Sequence, residues 1–241
     1  MQEPLNLREA VRSLLGRELS KRQIEAFSWY SSELREWNQH FNLTAIKDPS
    51  GIEIRHFLDS LTCNLAMGAG VGDCVVDVGT GAGFPGIPLK ILCPNLRLTL
   101  VEATGKKAEF CAHVVAGLGL DNVQVVHGRA EDVAQESKHR ESYDIALARA
   151  VAPLRVLVEY LLPFLRVGGR AIAQKGETAH AEAHEAQGAL GILGGGVDRL
   201  IPIELPGVVE TRYLVILKKL AATPEKYPRR AGIPEKRPLQ G

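Results

Sequence analysis

Asp77, Gly79, Gly81 and Gly83 occupy alternate positions in the stretch Val75-Val76-Asp77-Val78-Gly79-Thr80-Gly81-Ala82-Gly83-Phe84-Pro85-Gly86. Glycine accepts positive φ and carries no Cβ, so a ligand can lie directly against such a backbone. The chemistry this serves is the holding of a nucleotide-like cofactor. Two frames compete. Gly81, Gly83 and Gly86 have the G-x-G-x-x-G spacing of dinucleotide sites. Pro85 stands against that frame, because it removes an N–H where a pyrophosphate needs one. The other frame, Asp77-x-Gly79-x-Gly81-x-Gly83, starts from the acid that ends the apolar run. Glu102 closes a second apolar run, 25 residues after Asp77. An acid there can accept hydrogen bonds from vicinal ribose hydroxyls.

Other polar residues fall at comparable places. His56, Asp59 and Ser60 share one side of an expected helix, Glu53 to Ala66, opposite Ile54, Leu58, Leu61 and Leu65. Gly128-Arg129-Ala130-Glu131-Asp132 follows a third apolar run, with two acids, Glu131 and Asp132, at its end. Arg149 follows the fourth run and Lys175 the fifth. His180 and His184 stand four apart, with no H-E-x-x-H frame and no third ligand, so a solvated helix face is expected and no metal.

For these residues to meet, the runs must be strands of one sheet. Strands are expected at Cys74–Val78, Leu96–Glu102, Val123–His127, Tyr143–Ala148, Arg170–Gln174, Ile201–Leu205 and Arg212–Leu217. Helical segments separate the first five: Gly86–Leu92, Lys106–Leu118, Glu131–Gln135 and Leu154–Leu165. That alternation predicts a doubly wound α/β sheet with helices on both faces. Another helix is expected from Thr178 to Leu190, followed by a flexible loop at Gly194-Gly195-Gly196. Pro206-Gly207 between the last two strands predicts a terminal antiparallel hairpin. Ahead of the sheet, Ser20-x-x-Gln23 reads as a capping box. Phe27, Tyr30, Leu34, Trp37 and Phe41 then form an apolar stripe at helical spacing.

The 241 residues suit one α/β domain (72–219) with an N-terminal helical extension (1–71) and a basic, proline-rich tail (220–241). No apolar run approaches the roughly 20 residues that span a bilayer. The first residues lack an apolar signal core, so a cytoplasmic location is expected. Cys63, Cys74, Cys93 and Cys111 form no C-x-x-C pair and read as buried free thiols. The net charge of +1 argues against a uniformly basic surface, so RNA binding would need a local patch.

In the Asp77 frame the glycine stretch resembles motif I of the class I S-adenosylmethionine-dependent methyltransferases. Asn42–Ile46, His56–Leu61, Asp77–Gly86, Gly128–Asp132, Arg149–Leu154 and Lys175-Gly176 together resemble one family throughout: the bacterial small-subunit ribosomal RNA guanine-N7 methyltransferases, also called glucose-inhibited division protein B. The resemblance implies a Rossmann-like sheet of seven strands, S-adenosylmethionine as cofactor and small-subunit ribosomal RNA as partner. It places Asp77, Gly79, Gly81, Gly83, Phe84, Ala130, Glu131 and Arg149 at the cofactor, with Glu102, Ala103 and Thr104 at its ribose. His56, Asp59, Ser60, Arg149 and Lys175 become candidates for holding the guanine or its phosphates. A monomer without metal or membrane attachment is expected, and no catalytic residue is assigned. The rival readings are an NAD-dependent oxidoreductase and a non-catalytic RNA-binding assembly factor. In the tail, Lys218, Lys219, Lys226, Arg229, Arg230, Lys236 and Arg237 read as an arm along RNA phosphates, with Tyr227 stacking on a base.

Overall fold

The computed structural model describes residues 7–68 and 73–240. The expected boundary at 71 and 72 lies outside the described residues. Seven strands form one sheet in the order β3-β2-β1-β4-β5-β7-β6. They are β1 (Cys74–Val78), β2 (Arg97–Glu102), β3 (Val123–His127), β4 (Tyr143–Arg149), β5 (Leu165–Lys175), β6 (Gly195–Ile203) and β7 (Arg212–Lys219). The first five are parallel; β7 runs antiparallel to both β5 and β6. The doubly wound sheet with a terminal hairpin is therefore present.

Successive strand residues point to opposite faces, and both faces are covered. Val75, Leu98, Leu100, Ile145, Leu147 and Ile172 belong to one apolar cluster. Val76, Val78, Val101, Ala146, Ala148, Ala171 and Ala173 belong to the other. Chain order reverses between β1 and β4, which opens a crevice at the carboxyl ends of these strands.

Helices α1 (Leu7–Leu15) and α2 (Lys21–Trp37) join the first cluster. Ser20 caps α2 as expected: its hydroxyl accepts from the Gln23 N–H, and Gln23 Oε1 accepts from the Ser20 N–H. Gln23 Nε2 also donates to the Ile91 carbonyl at 2.8 Å. That bond ties α2 to the helix after β1, α3 (Gly86–Leu92). Phe27, Tyr30 and Leu34 are buried, each side chain contributing about 1.5–3 kcal/mol of apolar burial.

Three expectations fail locally. The segment before β1 is not one α-helix: Ile52–Leu58 is π-helical, and Asp59–Leu61 then returns to α. The wider i→i+5 turn slips the phase of the apolar stripe. Leu65 ends up 41% exposed, while Asp59 and Ser60 turn inward. Gly194-Gly195-Gly196 is no loop: Gly194 closes the helix Gln187–Leu193 in a left-handed conformation, and the next two glycines begin β6.

The tail is neither frayed nor free, and it includes one helical turn, Ile233–Lys236. Lys219 is 1% exposed and paired with Glu141 at 3.0 Å. Tyr227 is buried in the second cluster, so it has no face for a base. Arg229 is engaged by Glu159 at 2.6 Å; Arg230 remains exposed. The polar side chains that meet the tail, Glu131, Gln135, Arg140, Glu141 and Glu159, are distant in the chain, where sequence spacing does not reveal them.

Candidate active site

The glycine turn is held closed from within. Gly79, Gly81 and Gly83 have φ of 68°, 61° and 96°. Asp77 is fully buried. Its Oδ2 accepts from the Thr80 hydroxyl at 2.6 Å and the Gly86 N–H at 2.8 Å, while Oδ1 has no partner. Burial raises its pKa to about 6, against the pull of those hydrogen bonds. Asp77 thus shapes the turn and presents no surface to a ligand, contrary to its expected cofactor contact. Glu102 is 6% exposed, so it is no ordinary surface acid. Its Oε2 accepts from the Gly81 N–H at 2.8 Å and Oε1 from the Thr104 N–H at 2.7 Å. Each oxygen keeps acceptor capacity for a ligand hydroxyl.

The start of α3 offers no cradle for a phosphate. The Gly86 N–H goes to Asp77 and the Ile87 N–H to the Gly83 carbonyl at 2.8 Å. Pro85 and Pro88 have no N–H to give. The donors a pyrophosphate would require are consumed, which removes the physical basis of the dinucleotide frame.

Beside the turn lies a cleft of about 360 Å³. Gly79, Gly81, Phe84 and Glu102 line one side; Leu43, His56, Asp59, Arg149 and Arg212 line another. Phe84 is the hinge of this wall. Its ring stacks on His56 at 4.6 Å and on Tyr30 at 5.5 Å, and the Arg149 guanidinium lies 4.9 Å from its centroid. Arg149 donates to Asp59 Oδ2 at 3.0 Å, to the carbonyls of Arg55 and His56, and to His56 Nδ1 at 3.3 Å. An arginine only donates, so Nδ1 must accept and His56 is the neutral Nε2–H tautomer. Nε2 then donates to the Thr44 hydroxyl at 2.6 Å. Asn38 fixes that loop by accepting from the N–H groups of Leu43 and Thr44. Ala150, next to Arg149, has φ of 55°, an uncommon conformation for a residue with a Cβ.

Burial, and then the Arg149 cation, lower the His56 pKa to about 3. Below pH 6.5 the unfolded chain takes up a proton that the folded one refuses. Stability from this group is therefore complete above pH 6.5 and falls as pH drops towards 3, by up to about 1.4 kcal/mol per unit. His56→Gln should flatten this acid limb. Denaturant titrations at pH 7.5 and 5 check it; equal pH dependence in both proteins would refute it.

The other expected site residues are dispersed. Ser60 is fully buried, and its hydroxyl donates to the His56 carbonyl at 2.5 Å, inside its own helix. Lys175 donates to the Ala152 carbonyl at 2.5 Å and pairs with Glu182 at 2.8 Å, which braces the loop after β4. Ser60 and Lys175 are therefore supports and not free ligand groups. Ala103 and Thr104 are exposed at the end of β2; Ala130 and Glu131 follow β3 on the same edge, outside the cleft wall. Asp132 is exposed and Glu131 buried.

Sequence reading missed four contributors. Arg55, Lys107 and Arg212 line the cleft and form no ion pair with the described residues. Arg212 Nε is buried without a partner. Tyr30, taken for core alone, also donates to the Ala82 carbonyl at 2.5 Å and so supports the turn from behind.

Comparison with known proteins decides what this cleft belongs to. The family rRNA small subunit methyltransferase G (GidB) matches residues 23–201. The chain belongs to this family. Ribosomal RNA small subunit methyltransferase G of Roseiflexus castenholzii is 53% identical over 224 residues, covering 93% of this chain and 95% of the relative. The family member from Pelotomaculum thermopropionicum is 46% identical over 233 residues, 97% of either chain. Among solved structures, a mutant of MtNAS in complex with S-adenosylmethionine matches with a TM-score of 0.54 at 20% identity, covering 83% of this chain and 73% of that one. Geranyl diphosphate methyltransferase in complex with the same cofactor matches at 0.52 and 16% identity, over 68% and 86%. At these identities the likeness carries the fold, that of the class I methyltransferases.

Proposed function

We propose that this protein methylates N7 of a guanine in small-subunit (16S) ribosomal RNA, with S-adenosylmethionine as the methyl donor. One observation carries the reading beyond family membership: the closed glycine turn and a cationic wall face the same cleft. The residues fit the cofactor. The start of α3 has no N–H cradle for a diphosphate, Gly81 leaves open space above its Cα, and Glu102 keeps free lone pairs. Gly79, Gly81, Gly83, Phe84, Glu102, Ala103, Thr104, Ala130, Glu131 and Arg149 would hold it.

When bound, S-adenosylmethionine supplies an electrophilic methyl group on a sulfonium that leaves as a neutral thioether. Guanine N7 has an in-plane lone pair and no proton, so no side chain has to act as a base. His56, neutral and far from an effective basicity, is consistent with that. What the chain contributes is position: holding reacting atoms in line is worth up to roughly 7–11 kcal/mol in favourable systems. Arg149, locked by Asp59 and two carbonyls, is the group best fixed to orient the base.

This wall is a local basic patch. Arg55, Lys107, Arg149 and Arg212 face only Asp59 and Glu102. Arg35 and Lys47 line an adjoining hollow that shares Ile46 with the cleft. Phosphate contacts made here give an affinity that falls with salt.

The test is methylation of small subunits, or their RNA, from a strain lacking this gene, with methyl-labelled cofactor. Borohydride reduction and aniline scission then cut at 7-methylguanosine. Label without scission refutes the N7 assignment; absence of label in every RNA form refutes the function. In the same protein, Glu102→Ala should weaken S-adenosylhomocysteine binding by about 1.5–3 kcal/mol. Calorimetry reads this, and an unchanged affinity would detach Glu102 from the ribose.

A further inference from the structure

The C-terminal segment crosses one face of the sheet from edge to edge. It leaves β7 at the amino edge, where buried Lys219 meets Glu141, the Leu162 carbonyl and the Thr223 hydroxyl. Arg140 donates to the carbonyls of Tyr227 and Thr223 at 2.7 and 2.9 Å, and Gln135 to that of Pro228 at 2.9 Å. Arg229 then gives Glu159 both its backbone N–H and its guanidinium, with bonds to each carboxylate oxygen. Glu159 is 1% exposed, so this pair is a buried latch. Three residues on, the Gly232 N–H donates to Glu131 Oε1 at 2.8 Å.

Glu131 is at the opposite, ligand-binding edge of the sheet. It follows β3, whose His127 pairs with Glu102 in register, and the Gly128 N–H donates to the Glu102 carbonyl. Adjacent strands lie about 4.8 Å apart. The end of β3 is therefore within reach of the base of a nucleoside whose ribose meets Glu102. There Glu131, 5% exposed, has Oε1 committed to the strap and Oε2 left for a ligand.

We propose that the strap positions the cofactor's base: the Gly232 N–H, anchored through the Arg229–Glu159 latch, orients Glu131 to accept a hydrogen bond from the exocyclic amino group of adenine. This rests on the methyltransferase reading above. Gly232 and Arg229 are positioning residues, acting through Glu131. The tail then serves the cofactor.

A chain ended after Arg230 keeps the latch and buried Tyr227 and loses the Gly232 N–H. Calorimetric titrations compare it with the full chain, using S-adenosylhomocysteine and S-inosylhomocysteine, which lacks the amino group. The shortened chain should bind the adenosyl ligand about tenfold more weakly, the loss of one charge-assisted hydrogen bond. It should bind the inosyl ligand as the full chain does. An unchanged adenosyl affinity, or an equal loss for both ligands, overturns the proposal, since loosened structure alone would weaken both. A full chain that binds neither ligand would instead defeat the methyltransferase reading, and the strap's role with it. Should the shortened chain not fold, hydrogen exchange on the full chain decides. Coupling is reciprocal, so S-adenosylhomocysteine must slow exchange of the Gly232 amide, and an unaltered rate overturns the proposal.

Discussion

Arg149→Ala destabilises the protein by about 3–5 kcal/mol and abolishes methylation. Asp59 is 2% exposed, and its side chain meets the Arg149 guanidinium at 3.0 Å. Removing the cation leaves a carboxylate buried without a counter-charge, which carries a cost of that size. For a chain of this length the loss corresponds to a Tm lower by roughly 10 °C. The double variant Asp59→Ala/Arg149→Ala removes both charges and should recover most of the stability. It should not recover activity, because the guanidinium also faces the cleft and packs on Phe84. Thermal unfolding and a methylation assay on the three proteins check both halves. A double variant that methylates normally would show that the pair is scaffolding alone. Arg149→Lys is no substitute, since a single ammonium cannot reach Asp59, two carbonyls and His56 together.

Gly79→Val loses S-adenosylhomocysteine affinity by about 100-fold or more, from a left-handed φ that a β-branched residue resists and from occlusion of the cleft. At φ of 68°, an added Cβ would also lie 2.8 Å from Val151 Cγ2. The substitution is thus not confined to the cofactor side. Gly79→Val/Val151→Ala relieves the collision and retains the strained φ. Both variants should keep the sheet, because Gly79 follows the last residue of β1. Calorimetry gives the affinity and far-ultraviolet circular dichroism the fold. Normal binding by the double variant would mean that turn shape does not govern the site.

Where glycine and proline punctuate the chain sharply, sequence and structure agree. β1, β3 and Gly86–Leu92 have the expected ends. Where glycine lies inside a strand the same signal misleads: Gly168 and Gly169 belong to β5, and Gly195 and Gly196 to β6. The glycine turn and Glu102 were legible because one short motif and one register position specify them. Arg212, Lys107 and Asn38 were not, since they reach the cleft region from separate elements and share no spacing. Charge alone misread the tail. Arg229 and Lys219 look like solvated cations until Glu159 and Glu141 are found folded against them. Asp77 shows a different limit: the motif marks it as important, but only its burial reveals that it serves the turn.

The Tyr30 hydroxyl on the Ala82 carbonyl has a practical reach. Its ring, with those of Phe57 and Phe110, packs behind Phe84 and the glycine turn. A protein trimmed to begin at β1 would still encode every strand. Yet the Ala82 carbonyl and one side of the Phe84 ring would then face water, and solvent would choose the turn's conformation. Such a fragment would fail a test for ligand binding, and one face of its sheet would lose its cover. The helices ahead of the sheet are thus half of the mould in which the turn is cast.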